Sequence, residues 1–326
     1  WRTCDRGLWA LCLASRNTDQ KTSEIITSLR DQRKDAEGRT KLDWLVDRAL
    51  RALIWGLGRL PYDTRVRACG WITGKFLGSV LGFNRRARAN LSYVFPEWSA
   101  AKKRRVATEA SNNVGRTLIE IYSGQEFVDR QTSDTLSGPG VALMQEAQDN
   151  GRAVILATGH FGNYEATRAA MLSLGRNVAA FYRPTNNRFF NDHYVKTIEG
   201  YGQPLFPRGP VGFRGVLQHL KNGGLYGMLH DQYMRGGANL TFMGKPTKTA
   251  LSIAELALKY DALLLPCYGI RNPDGLSFNV VVEAAVPASD AETMVQALND
   301  SLEARILENP GQWFWQHRRW KRQFAE

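Results

Sequence analysis

Hydrophobic and polar positions follow two different rhythms along this chain, and the change falls near Gly138-Pro139-Gly140. Before it, apolar residues recur at helical spacing. Leu45, Val46, Ala49, Leu50, Leu53, Ile54 and Leu57 predict a helix over residues 42–60, interrupted by Arg48, Arg51 and Arg59 and ended by Pro61. Trp71, Ile72, Phe76 and Leu77 predict a second over 64–81, and Ser99 caps a third running to about 124. Beyond the break, short apolar runs alternate with helical segments. Strands are predicted at 153–157, 177–182, 203–206, 225–229, 239–243, 263–270 and 277–283. Helices are predicted at 166–174, 187–201, 211–220 and 250–259, with a last one opened by Ser289-Asp290-Ala291-Glu292 and ending near 308. The fold class implied is α/β: a mixed sheet flanked by helices, preceded by an N-terminal helical segment.

The apolar run Ala153–Ala157 turns polar at Thr158-Gly159-His160-Phe161-Gly162-Asn163-Tyr164-Glu165. A buried strand that feeds a helix through a glycine turn leaves His160 at the strand's carboxyl end, where open α/β sheets bind ligands. Asn163 is the expected N-cap, which puts Glu165 in the helix's first turn. An imidazole accepts a proton near neutral pH, and a carboxylate on its other nitrogen fixes the tautomer. His160 and Glu165 are therefore the expected pair, although a loop histidine and a dipole-favoured acid would read the same way. Arg183 and Asp231 also follow strands. Arg183 can bind an anion or stabilise an oxyanion, or make a local ion pair; Asp231 can orient Arg183 or a hydroxyl, or cap a loop.

The chain has 326 residues and a net charge of +12, which favours a polyanionic partner: nucleic acid, an anionic membrane or an acidic protein. Cys4, Cys12, Cys69 and Cys267 are scattered, without ligand spacing, so neither a disulfide framework nor a metal site is expected. No apolar run has the length of an ordinary membrane span. The aromatic and aliphatic faces of residues 42–95, rimmed by arginine, fit an interfacial membrane segment or a helical hairpin packed on a core. Residues 1–41 read as an extension. Its patch at 8–14 resembles a weak signal-peptide core, and the charged run 16–41 reads as a solvated linker. The basic start of the third helix, Lys102 to Arg105, calls for an external anion or is a solvated face. The tail Pro310 to Arg322 holds the densest aromatic and basic cluster. It can stack on bases, sit at lipid headgroups or pack over the cleft, but no nucleic-acid-binding motif accompanies it, so no nucleic acid is expected.

Five pieces in order resemble the late lauroyl/myristoyl acyltransferases of bacterial lipid A biosynthesis. They are His160-Phe161-Gly162-Asn163-Tyr164-Glu165, Tyr182-Arg183-Pro184, Asp231-Gln232, Phe242-Met243-Gly244-Lys245-Pro246 and the tail from Gln312 to Lys321. The resemblance covers about residues 42–321; one departure is Met243, where a second Phe is expected. It implies a glycerol-3-phosphate acyltransferase-like fold over 96–326 behind a membrane-associating segment at 42–95, at the cytoplasmic face of the cell inner membrane. It also implies transfer of an acyl chain from an acyl carrier protein thioester to a hydroxyl of a Kdo-bearing, phosphorylated lipid A precursor, with no cofactor. His160 and Glu165 become the catalytic pair, and loss of either should abolish turnover while sparing the fold. Arg183, Asp231, Asn163 and Gln232 become substrate or oxyanion residues. The alternatives are a phospholipid or glycolipid acyltransferase, a thioesterase, or a non-catalytic basic membrane-binding protein.

Overall fold

A computed structural model describes residues 40–185 and 187–321. The patch at 8–14 and nearly all of the run 16–41 lie outside these residues.

Seven strands form the main sheet: β1 (Leu136–Ser137), β2 (Val154–Thr158), β3 (Ala179–Tyr182), β4 (Leu205–Pro207), β5 (Leu225–Leu229), β8 (Leu263–Arg271) and β9 (Phe278–Val282). Their order is β1-β9-β8-β2-β5-β3-β4. All pairs are parallel except β8 with β9, so the sheet is mixed. Every residue of β2 is buried, as a central parallel strand requires. Its side chains alternate between faces: Val154 and Leu156 join one apolar cluster, Ile155 and Ala157 another. Parallel pairs need crossovers, and helices supply most of them: α6 (Tyr164–Ser173), α7 (Arg188–Ile198), α8 (Pro210–Lys221) and α9 (Ser252–Lys259), with α10 (Ala291–Glu308) last. The final helix opens one residue later than expected, because Asp290 rather than Ser289 accepts the Thr293 N–H, at 2.9 Å.

The hairpin β6 (Tyr233–Phe242) and β7 (Lys245–Thr249) stands apart from the sheet. Only part of β6 was expected, and β7, Lys-Pro-Thr-Lys-Thr, carries too little apolar signal to be read as a strand. Met243 and Gly244 form its two-residue turn, both with positive φ, at 54° and 67°. Methionine rarely adopts that region. Here its N–H donates to Glu303 at 2.6 Å and its side chain is buried.

Among the described residues, five helices of ten residues or more precede β2: α1 (Lys41–Gly58), α2 (Tyr62–Ile72), α3 (Phe83–Val94), α4 (Ala100–Ile121) and α5 (Gly140–Asp149). Thr40 and Asp43 close a reciprocal capping box on α1, and Ser99 caps α4 as expected. The second predicted helix continues past Ile72 through a π-turn at Thr73–Leu77. Helices α3 and α5 were not anticipated. Gly138-Pro139-Gly140 reads as a breaker, yet Pro139 occupies the N-cap of α5, where a missing N–H costs nothing. Tyr62, Val66 and Cys69 of α2 join the sheet's core, whereas Trp44, Leu45, Leu53, Trp55, Trp71 and Phe76 are exposed. Arg59 lies over the Trp55 ring at 4.5 Å. Among the described residues no helix is long and apolar enough to cross a membrane.

Candidate active site

Strands β2 and β5 are parallel neighbours with Thr158 opposite Leu229. His160 and Asp231 each lie two residues past that pair, so the ladder sets them side by side at the carboxyl edge of the sheet. The His160 Nδ1 lies 2.8 Å from Asp231 Oδ1. Its backbone N–H donates to Oδ2 at 2.9 Å, and so does the indole N–H of Trp313, also at 2.9 Å. Asp231 is fully buried while the His160 side chain is 24% exposed, so the pair has a sheltered carboxylate and an accessible ring. Burial alone would raise the Asp231 pKa. The adjoining His160, with its charge and hydrogen bond, outweighs this and holds the carboxyl well below the usual range.

The turn carrying His160 is built by close approach. A side chain at Gly162 (φ 54°) would meet the Gly269 carbonyl at 1.9 Å, and one at Gly159 would meet Leu302 at 2.7 Å. Asn163 caps α6 as expected, accepting from the Glu165 N–H at 3.0 Å, and its amide donates to Glu120 at 2.9 Å. Glu120 is itself paired with Arg271, at 2.8 Å through Nη2. Asn113 donates to the Gly162 carbonyl at 2.8 Å.

Two expected roles need correction, those of Glu165 and Asn163. Glu165 is not the carboxylate on the imidazole; its side chain takes Arg168 Nη1 at 2.8 Å, and Arg168 in turn donates to the Gly202 and Val178 carbonyls. One turn along a helix brings residues 165 and 168 together, and nothing in that turn directs the carboxylate back to residue 160. Asn163 is wholly buried in the cap and in its bond to Glu120, so it faces no substrate. Arg183 is exposed at the end of β3, two strands from β2 and so roughly 10 Å across the sheet. Gln232 is exposed too, and contributes its backbone carbonyl to Arg319 at 3.0 Å.

The tail takes the third of its expected options and packs on the site's own loop. Phe161 and Trp313 form an antiparallel bridge, the Gly162 N–H donates to the Gln312 carbonyl at 3.0 Å, and the Phe314 N–H to the His160 carbonyl at 2.9 Å. Trp313, Trp315, Arg319 and Trp320 are buried. Burial pulls Arg319 down to about 10, and its guanidinium donates to Thr249 Oγ1 at 2.8 Å. Two site residues escaped the sequence reading: Trp313, which anchors Asp231, and His317, whose ring stands edge-on to His160 with centroids 4.5 Å apart. The available signal was the density of aromatics at 313–320, without direction.

Ring nitrogens of His160 and His317 and a carboxylate oxygen of Asp231 lie within 4.8 Å of one another, close enough to consider a metal ion. Asp231 already accepts three N–H groups, which leaves one of its roughly four lone-pair sites for an ion. The donor set fits proton transfer better.

The family model for bacterial lipid A biosynthesis acyltransferases matches residues 34–322. The chain belongs to that family. It is similar to the lipid A biosynthesis lauroyltransferase of Escherichia coli K12, 27% identical over 284 residues, which span 82% of this chain and 89% of the relative. The lipid A biosynthesis palmitoleoyltransferase of the same organism is 24% identical over 286 residues, 82% and 89% of the two chains. A phosphatidylinositol mannoside acyltransferase of Mycobacterium tuberculosis is 22% identical over 300 residues, 88% of this chain and 91% of its own.

Proposed function

We propose that this member of the family is an O-acyltransferase of lipid A biosynthesis in which His160, held by Asp231, is the general base. The observation that carries the reading is the 2.8 Å contact between His160 Nδ1 and a buried carboxylate, which leaves the ring's other nitrogen for a substrate. That nitrogen takes the proton of the acceptor hydroxyl, and the alkoxide oxygen attacks the thioester carbonyl carbon. Asp231 stabilises the imidazolium that forms. When the tetrahedral intermediate collapses, the C–S bond breaks and the imidazolium returns its proton to the leaving thiolate. Ester and free thiol are the products. General-base help of this kind contributes roughly 10²- to 10⁴-fold.

The finer assignment is a donor on acyl carrier protein and a Kdo-bearing, phosphorylated lipid A precursor as acceptor, at the cytoplasmic face of the inner membrane. A net charge of +12 suits an acidic carrier, a phosphorylated glycolipid and an anionic leaflet. The exposed Trp44, Trp55, Trp71 and Phe76, interleaved with arginine, suit a helical surface lying in the headgroup layer. Replacing Trp55, Trp71 and Phe76 together by Ser should weaken binding to anionic vesicles at least tenfold in a flotation assay; unchanged binding would remove that face from the proposal.

The deciding experiment is mass spectrometry of the lipid A precursor after incubation with a mixed pool of acyl carrier protein thioesters. The precursor should gain one acyl chain. Hydrolysis of the thioester without acceptor product would make the protein a thioesterase. Transfer only to a phosphatidylinositol mannoside would favour the reading suggested by the mycobacterial relative.

A further inference from the structure

We propose that His317 is a second functional imidazole of this site, donating a hydrogen bond to the thioester carbonyl oxygen as it becomes an oxyanion. The inference rests on the acyl-transfer reading above and adds a residue to it. A reaction of this type needs two things within reach of one tetrahedral carbon: a base for the nucleophile's proton and a donor for the oxygen that gains charge. His160 supplies the first. Of the side chains expected to supply the second, Arg183 lies about two strands away and Asn163 is sealed in its cap, so beside backbone N–H groups the donor is sought among the side chains next to His160.

His317 has the position and the unused capacity. Its ring meets His160 edge-on at 4.5 Å and Phe314 at 4.6 Å, and its carbonyl is held by Asn90 at 2.8 Å. Nε2 is buried without a hydrogen-bond partner. An unsatisfied buried polar atom is destabilising, and a native fold that keeps one usually has a use for it. Nitrogens on two rings this close can lie about 3 Å from neighbouring oxygens of one tetrahedral centre, the span required of a base and an oxyanion donor. Burial first, then the adjoining His160, pushes the His317 pKa down to about 3. The ring is therefore neutral at working pH. It keeps one N–H to donate and does not compete with His160 for the acceptor's proton. Bonds of this kind are often incomplete before substrate arrives and tighten in the complex.

The test is steady-state transfer, with the acyl carrier protein thioester and lipid A precursor, by wild type, His317→Phe and His317→Gln, beside thermal unfolding of each. His317→Phe keeps the ring and loses the N–H. Its kcat should fall roughly 10²- to 10³-fold with KM changed less than threefold. It should unfold no lower than wild type, since a burdensome polar atom has gone. His317→Gln restores a donor and should recover at least tenfold of the lost rate. A role confined to packing predicts the opposite order, Phe active and Gln impaired. A Phe variant with kcat within threefold of wild type, or a Gln variant no better than Phe, overturns the assignment. If His317→Phe does not fold, His317→Leu against His317→Gln reads the same difference. Should the wild type hydrolyse the thioester without transferring it, the acyl-transfer reading fails alone, because hydrolysis forms the same oxyanion and the comparison still applies. A wild type that does neither overturns both.

Discussion

Two buried carboxylates flank the turn after β2, and they do different work. Asp231 reaches the turn from a neighbouring strand and gathers three N–H groups, two from His160 and one from Trp313. Glu165 sits on the helix that the turn begins and gives its carboxylate to Arg168. Both are almost fully buried, at 0% and 4% exposed. The first holds a ring that can change its protonation state. The second holds a guanidinium that never does, and through it ties α6 to the backbone at Val178 and Gly202. Adjacency in the sheet decides which acid serves the imidazole, and adjacency in the chain does not.

The comparison can be broken most directly at Asp231. Asp231→Asn keeps the side chain's shape but offers an amide where the ring needs a carboxylate. Turnover should drop by about 10³- to 10⁴-fold, by analogy with the loss of the acid from a serine-protease triad. A variant within tenfold of wild type would mean that His160 works without this partner. Next in size is the structural penalty at Glu165. Glu165→Ala leaves the Arg168 guanidinium buried without its counter-charge, a change that typically costs about 3–5 kcal/mol. Chemical denaturation should register that loss. Restoring apolar packing at both positions, as Glu165→Leu with Arg168→Met, should recover part of it. If Glu165→Ala instead unfolds like wild type while its turnover collapses, Glu165 is chemical after all.

Smallest is the effect of acid on stability. His317 and the buried His230 both have pKa values below that of a free imidazole, 6.5. Below pH 6.5 the unfolded chain binds protons that the folded chain refuses, so stability falls as pH falls from 6.5 towards 4. Each such proton steepens the slope by up to about 1.4 kcal/mol per pH unit. Asp231 adds to the loss only as the pH nears the ordinary carboxylate value of 3.8, where the unfolded chain begins to bind a proton that the folded one refuses. His317→Phe should flatten the slope measured by calorimetry; an unchanged slope would show that residue 317 is protonated in the native protein.

Much of the site was legible in the linear text. A central apolar run, a glycine turn and Asn163 as cap placed His160 correctly at a strand end, because each signal is local and short-ranged. Asp231 was legible as a polar residue after another strand, and the family resemblance marked it as a site residue. Its connection to His160 was not legible. That connection depends on β5 lying next to β2, a non-local fact separated by 71 residues of chain. The same limit applies to the tail. The aromatic cluster is visible, but three surfaces could take it, and only packing against Phe161, Phe242 and the hairpin selects one. Helix α5 was hidden for a different reason, since Gly138-Pro139-Gly140 starts helices and ends them equally well.

The clasp of residues 312–314 over the His160 turn has a bearing on how the protein is made. The turn leaves the ribosome about 150 residues before the segment that secures it. Until Trp313 has been synthesised and docked, Asp231 lacks one of its three donors and the His160 loop lacks its bridging strand. A nascent chain can assemble its sheet while translation continues, yet the imidazole acquires its finished surroundings only once residues 312–314 have emerged. A stop codon placed just before Trp313 should therefore give a protein with most of its core and an inert base.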